Sequence, residues 1–415
     1  MSYNEQFIEA CKTGDLETIV EIYRLNKFID TFVNYKKAFL VACENKHSEI
    51  VRQLYEWKPK FNILAKKQFI KSCKTGDLDT IREIYRLSTF IDISMNYKEA
   101  FLEGCENGHL EVVRQLYKWK PKINISAYED AFRMACQNAH LEVVRQLYQW
   151  KPTIAMIVLN YPDEKLFKTA CENGHLELVR QLYEWKPSID ISAGDEYLFR
   201  MACNNGHLTV VRQLKEWKPT IDISANDEWA FCMACAHGHL TVVRQLKEWK
   251  PTINSSAYEY SFRSACKNGH LEVVRQLYEW KPTIDISAID EFAFRIACAH
   301  GHLTVIRQLY EWKPTIDISA CDEYALKVAC YIGDLEIVRQ LYEWKPTINI
   351  SANDEQAFRT ACYHGYLEIV RQLYEWKPTI DLSKCYQYRY ILLPLGITLP
   401  NSLIKESISE GKTLL

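Results

Sequence analysis

The chain has 415 residues, 48% of them hydrophobic and 25% charged, with 51 basic against 53 acidic side chains. That is the make-up of an ordinary folded protein, and the near-zero balance excludes a global field aimed at nucleic acid or an anionic membrane. No apolar run approaches the roughly 18 residues a membrane span needs. The opening MSYNEQFIEACKTGDLETIV has no signal-peptide core, so the chain is read as intracellular and cytoplasmic.

Fifteen cysteines do not make a disulfide scaffold here. Twelve recur once per 30–35 residues, at Cys11, Cys43, Cys73, Cys105, Cys136, Cys171, Cys203, Cys235, Cys266, Cys298, Cys330 and Cys362. Equivalent positions in stacked helices lie about 8–10 Å apart, beyond the ~7 Å that a disulfide spans between Cα atoms. They read as packing thiols, suited to a reducing compartment. Ten Trp-Lys-Pro triplets run in step with them, from Trp57 to Trp376, and a fixed period of about 32 residues marks a repeat stack.

Along the chain, the first four units form a duplicated pair. CKTGDLETI at 11–19 is matched by CKTGDLDTI at 73–81. Between Trp150 and Trp185 the interval rises to 35 residues, and 152-PTIAMIVLNYPDEK-165 carries three extra residues and Pro162. It reads as a tolerated insertion or a protruding connection. Beyond it the pattern is regular. In 208-LTVVRQLKEWK-218, Leu208, Val211, Leu214 and Trp217 share one helical face. Gly206 suits a left-handed helix end, and Pro219 stops the helix. Next, 224-SANDEWAFCMAC-235 opens with Ser224 and Asp227 in capping-box spacing, ahead of an apolar face of Phe231, Ala234 and Cys235. The expected fold is all-α, a solenoid of about twelve helix-turn-helix repeats over 1–382, each burying its apolar faces on its neighbours. The tail, 383–415, loses the frame after Leu382 and is expected to cap the stack.

The run 269-GHLEVVRQLYEW-280 resembles the second helix of ankyrin repeats, and AFRMACQNAHLE resembles the end of their first helix and its turn. The resemblance covers residues 2–382. In its near-identical, Tyr/Trp-rich units the chain also resembles the ankyrin-repeat paralogues of giant DNA viruses of amoebae. It departs from the family where Thr-Pro-Leu-His would stand, as in Trp229-Ala230-Phe231-Cys232. An extended IDIS segment replaces part of the β-hairpin finger, which should be reduced. The resemblance implies a non-enzymatic scaffold binding a protein partner along a concave face, a host protein if the chain is viral. A substrate adaptor for a ubiquitin ligase is the alternative, since LPNSLIKESI in the tail faintly resembles an F-box-like segment.

The recurrent residues read as framework. A Trp ladder could stack bases or a Pro-rich ligand, but Trp217 lies on the same stripe as Leu214. An Arg ladder from Arg114 to Arg371 could meet phosphates, but Glu177 and Glu184 flank Arg180. The Tyr183/Lys215 position, tolerating both residues, reads as surface. Cys235-x-His237-x-His239 and Cys298-x-His300-x-His302 fall short of a metal site, because the thiols belong to the packed face. No phosphate loop, HExxH pair or nucleophile elbow is present. The Asp-Glu pairs, such as Asp227-Glu228, recur in five units and read as helix-dipole and cap devices. No cofactor, metal, membrane or small-molecule substrate is therefore expected, and nucleic acid is disfavoured.

Binding should lie where the copies disagree. Tyr197, Trp229, Phe292 and Tyr324 follow the acidic pairs, and Tyr128 and Tyr258 align nearby. Buried aromatic anchors dominate protein interfaces, and Trp229, the one Trp outside the ladder, is the leading candidate. The bland alternative is packing of Trp229 on Met233 one turn along its own helix.

Overall fold

The computed structural model describes residues 3–25, 32–57, 62–86, 97–154, 158 and 165–397. Most of the 152–165 insertion, with Pro162, and the LPNSLIKESI stretch lie outside the described residues. Among the described residues all regular structure is helical, and the helices come in pairs. In chain order the pairs are α1 (Tyr3–Thr13) with α2 (Leu16–Leu25), α3 (Phe32–Glu44) with α4 (Ser48–Trp57), and α5 (Asn62–Thr75) with α6 (Leu78–Arg86). Next come α7 (Tyr97–Glu106) with α8 (Leu110–Trp119), α9 (Ile125–Gln137) with α10 (Leu141–Trp150), and α11 (Lys165–Glu172) with α12 (Leu176–Trp185). Then follow α13 (Ala193–Asn204) with α14 (Leu208–Trp217), α15 (Ala225–Ala236) with α16 (Leu240–Trp249), and α17 (Ser255–Lys267) with α18 (Leu271–Trp280). The last are α19 (Ala288–Ala299) with α20 (Leu303–Trp312), α21 (Ala320–Ile332) with α22 (Leu335–Trp344), and α23 (Ala352–His364) with α24 (Leu367–Trp376). Odd numbers are thus first helices and even numbers second helices. Two compact units form, Met1–Asp190 and Ile191–Leu415.

Each repeat contributes the same layers to its core. A phenylalanine from the first helix is fully buried: Phe7, Phe39, Phe69, Phe101, Phe132 and Phe167 in the first unit, then Phe199, Phe231, Phe262, Phe294 and Phe358 in the second, with Leu326 in the remaining repeat. The expected cysteine lies one helical turn beyond and is buried too. Second helices add Val242, Val243 and Leu246 and their equivalents. Each such side chain stabilises by about 1.5–3 kcal/mol. No strand occurs among the described residues, so the loop after each second helix holds no paired finger there. Its isoleucines, for example Ile221 and Ile223, turn into the core instead.

The Gly turn does two things at once. Gly206 has φ 79°, as a left-handed helix end requires. A Cβ there would also meet the His239 ring of the next repeat at 2.4 Å. His239 Nε2 in turn bonds the Asn204 carbonyl at 3.0 Å, so the Gly-His pair ties neighbouring repeats together.

The starts of the first helices correct two expectations. In α13, α15, α19, α21 and α23, three consecutive residues are left-handed, as in Asn226, Asp227 and Glu228 with φ 56–60°. No capping box forms at Ser224, whose side chain makes no cap bond. The left-handed turn carries Asp227 out of the geometry that a box needs. Asp222 acts instead, accepting the Ser224 N–H at 2.8 Å. Nor is the Asp-Glu pair a dipole device. Its glutamate is buried and accepts the backbone N–H of the next repeat's loop: Glu196 from Asp222 (3.2 Å), Glu291 from Asp317 (3.2 Å), Glu323 from Asn349 (2.9 Å) and Glu355 from Asp381 (3.1 Å). Glu228 accepts from Asn254 N at 2.9 Å and also from Lys250 Nζ, of the Trp-Lys-Pro triplet, at 2.6 Å.

Two first helices begin differently. In α9 and α17 an Asn side chain caps the helix, with Asn254 accepting the Ala257 N–H at 2.7 Å. The tyrosine behind it turns inward. Tyr128 and Tyr258 donate to the Leu147 and Leu277 carbonyls at 2.7 and 2.6 Å, and Tyr97 donates likewise to Leu116. Past α24, a 3-10 turn over Leu382–Tyr388 packs against α23, followed by α25 (Arg389–Leu392) and a short 3-10 turn, Leu393–Leu395.

Candidate protein-binding face

The core phenylalanine gives a fixed reference for the surface residue two positions before it. In the first unit that residue is Glu5, Lys37, Lys67, Glu99, Asp130 or Lys165, all charged and all exposed except the half-buried Asp130. In the second unit it is Tyr197, Trp229, Tyr260, Phe292 and Tyr324, then Gln356. Five successive aromatics follow six successive charges. Tyr197, Trp229, Phe292 and Tyr324 are half-buried, and Tyr260 is exposed. One helical turn on, the half-buried Met201, Met233, Ile296 and Val328 widen the apolar strip. Within Ile191–Leu415, adjacent first helices approach more closely than adjacent second helices. The strip therefore lies on the more closely packed, first-helix side of that unit.

Two of the sequence-selected residues belong elsewhere. Tyr128 and Tyr258 are each 3% exposed, with their hydroxyls bonded inside. Burial raises the Tyr258 hydroxyl well above its ordinary range. They are core residues because their repeats lack the left-handed turn, which shifts the tyrosine inward. Counting back from Phe262 finds the missed member of the strip, Tyr260.

Two of the strip residues rest on cations from the preceding repeat. Arg200 lies 5.2 Å from the Trp229 ring centroid, and Arg295 stands at the same distance from Tyr324. Each guanidinium is held by its own left-handed turn, Arg200 by the carbonyls of Asp195 (2.8 Å) and Gly194 (3.1 Å). Trp229 is thus backed by a fixed Arg, an arrangement worth about 0.5–2 kcal/mol. A pre-positioned ring loses less freedom when a partner closes over it.

The ladders that dominate the sequence are joined repeat to repeat. Tyr148 stacks on Trp185 at 3.8 Å, Tyr278 on Trp312 at 4.0 Å, and Tyr342 on Trp376 at 3.8 Å. Where lysine replaces the tyrosine, Lys247 lies 5.8 Å over Trp280. Lys215 bonds the Pro219 and Ile221 carbonyls, and burial lowers its pKa. Ladder arginines donate to the next repeat's Gln, as Arg244 does to Gln276 at 2.7 Å, while that Gln donates to Glu279 at 2.8 Å. Glu177 pairs with Arg180 at 2.9 Å, whereas Glu184 accepts from Gln181. Burial pushes the repeat thiols up, Cys11 to about 12. His239, His270 and His302 are lowered from 6.5, with desolvation as the largest cause. No group of three or more metal-capable side chains occurs among the described residues, and none of their helices is long and apolar enough to cross a membrane.

Comparison with known proteins places this geometry. The family model for ankyrin repeats (3 copies) matches residues 167–257 and 294–384. No curated protein matches the sequence. Among solved structures, the human ASB11 ankyrin repeat domain is similar at 16% identity and TM-score 0.36, over 46% of this chain and 95% of that one. An ankyrin repeat family protein from Legionella pneumophila shows 19% identity and TM-score 0.23, over 74% and 85% of the two chains. A circular tandem repeat protein shows 15% identity and TM-score 0.19, over 99% and 97%. The fold is an all-helical ankyrin-repeat solenoid.

Proposed function

We propose that this ankyrin-repeat chain is a non-enzymatic scaffold that binds a protein through the aromatic strip of its second unit, with Trp229 as the central anchor beside Tyr197, Tyr260, Phe292 and Tyr324. The observation that carries this reading is the change at one fixed position, charged in six repeats and aromatic in the next five. A framework demand would act on every repeat alike, so the aromatic run reflects something only the second unit meets. Part-exposed rings, two of them backed by an arginine, have the character of interface anchors. If the viral resemblance reflects its source, the partner is a host protein.

Affinity purification with mass spectrometry would identify the partner, and its affinity for variants would test the face. Trp229→Ala should weaken binding by about 30-fold, the ~2 kcal/mol of an anchor residue. Lys67→Ala, at the same position in the first unit, should leave it unchanged. Equal affinity of wild type and Trp229→Ala would remove Trp229 as the anchor.

A further inference from the structure

We infer a second, separate site at the end of the stack, a pocket for a carboxylate carried next to an aromatic ring. Between α21, α23 and the Leu382–Tyr388 turn lies a cavity of about 330 Å3, at the lower end of the ~300–1,000 Å3 of ligand sites. Gln356, which stands where the other repeats of the second unit place a ring, lines it. Tyr331, Tyr363 and Tyr388 form its walls, with His364, Arg359, Thr360 and the Asn353 and Gln356 amides completing the lining.

The aromatic walls are mutually fixed. His364 meets Tyr331 at 5.1 Å and 90°, and Tyr363 at 4.9 Å and 87°, while Tyr363 meets Tyr388 at 6.3 Å and 79°. An edge-on contact covers one face of a ring and leaves its opposite face for a flat guest. Tyr331 and Tyr363 are 60% and 67% exposed, so the walls are open to solvent.

The polar lining selects charge. Among its members none is acidic, one is a guanidinium, and the tyrosine hydroxyls and amides can donate. Arg359 is poorly satisfied. Its Nη1 reaches the Asp354 carbonyl at 3.4 Å, at the weak limit of a hydrogen bond. Its Nε is enclosed with no acceptor among the described residues. The buried Glu355 spends Oε1 on the Asp381 N–H at 3.1 Å and forms no ion pair with Arg359 within 4.0 Å. A carboxylate entering the cavity would offer the outer nitrogens of that guanidinium a charged acceptor. The aromatic walls would cover the ring beside it. A cationic guest would face Arg359 with no lining anion to offset it. A phosphoryl dianion is ordinarily held by clustered arginines, and this pocket has one.

The test uses the full chain with tyrosine rings labelled for NMR, titrated with 3-phenylpropionate, its amide, phenyl phosphate, and an acetylated tetrapeptide ending in Phe with a free carboxyl. The acid should shift the labelled tyrosines saturably, and the amide should bind at least about tenfold more weakly, the loss of one charge-assisted bond. Tyr363→Ala and Arg359→Gln should each weaken the acid about tenfold with unchanged thermal unfolding. If the peptide binds more tightly than the free acid, the natural guest is a chain terminus; the reverse order assigns a free aromatic acid. Equal binding of acid and amide, undiminished binding to Tyr363→Ala, or no saturable shift would overturn the site. Tighter binding of phenyl phosphate would overturn its carboxylate character.

Discussion

Two kinds of joint fix the first-helix starts of the second unit, one between repeats and one within a repeat, and they meet at one loop. At the start of α15, Glu228 reaches forward to the Asn254 N–H and holds Lys250. Four residues past Asn254, Tyr258 turns inward to the carbonyl at its own repeat's end, Leu277. The Trp-Lys-Pro lysine serves both. Lys250 ion-pairs with Glu228, while Lys281 lies 5.5 Å over the Tyr258 ring. One joint thus depends on a buried charge and three left-handed residues, costing about 1–2 kcal/mol each. The other uses a neutral hydroxyl and a right-handed, Asn-capped helix. A buried ionic joint is fragile when broken, and a neutral one loses only its bond.

The largest difference should come from deleting the ionic clasp. Glu228→Ala leaves Lys250 without its anion and Asn254 N–H without its acceptor, which should destabilise by about 3–5 kcal/mol. Urea unfolding followed by circular dichroism would measure it. Glu323→Gln offers a contrast. One Glu323 oxygen accepts the Asn349 N–H and the other has no partner among the described residues, so an amide should serve nearly as well, within about 1 kcal/mol. A loss from Glu323→Gln as large as that from Glu228→Ala would refute the distinction between the two glutamates.

Removing the tyrosine hydroxyl tests the neutral joint. Tyr258→Phe keeps the buried ring and loses the bond to Leu277, with an expected cost of about 1–2 kcal/mol. A loss matching Glu228→Ala would mean that the hydroxyl, like the carboxylate, holds two repeats together. Tyr260→Ala, two residues away on the exposed strip, should change stability by less than about 0.5 kcal/mol.

How much of this was legible in sequence follows from where the forces act. The repeats, the helix pairs, the left-handed glycines and the stacked Trp ladder all follow from periodicity, because each depends on residues that recur in register. The left-handed turns did not. Nothing in ANDE, AIDE or ACDE signals three positive φ values, and Ile289, β-branched at φ 57°, argues against one. Their cause lies about 26 residues onward, in the loop N–H that each glutamate accepts. Tyr258 was misplaced for the same reason. The one warning was the Cys235–Cys266 interval of 31 rather than 32 residues, the one-residue shortening that removes the turn. In the candidate strip, Trp229 was recognisable as the odd tryptophan, and Tyr260 became visible only by counting from the core phenylalanine.

A smaller effect should expose the strain of the charged joint directly. Ile289 is 62% exposed and left-handed, so Ile289→Asn trades a disfavoured residue for one that tolerates that region, with little packing lost. Stability should rise by about 0.5–1 kcal/mol. The same change at Ile125, exposed at the start of a tyrosine-type helix and absent from the positive-φ set, should bring no gain. Equal responses at the two sites would mean that the left-handed turn carries no strain.

The least local of the expected effects should fall on both joints alike. His239, His270 and His302 pack on Gly206, Gly238 and Gly269, the last in a tyrosine-type repeat. Their folded pKa values lie below 6.5, chiefly through desolvation. The unfolded chain therefore takes up these protons first as pH falls, and stability declines from about pH 6.5 downward toward the folded values. Each ring meets a backbone carbonyl of the preceding repeat through Nε2 in its neutral form, His239 that of Asn204 and His302 that of Lys267 at 2.9 Å. A second proton would put charge against the glycine turn. Urea midpoints should fall between about pH 7 and pH 5.5, with parallel curves for wild type, Glu228→Ala and Tyr258→Phe. A rise on acidification would contradict the histidine assignment. A divergence between the variants would show that the histidine ladder is coupled to one kind of joint rather than running beneath both.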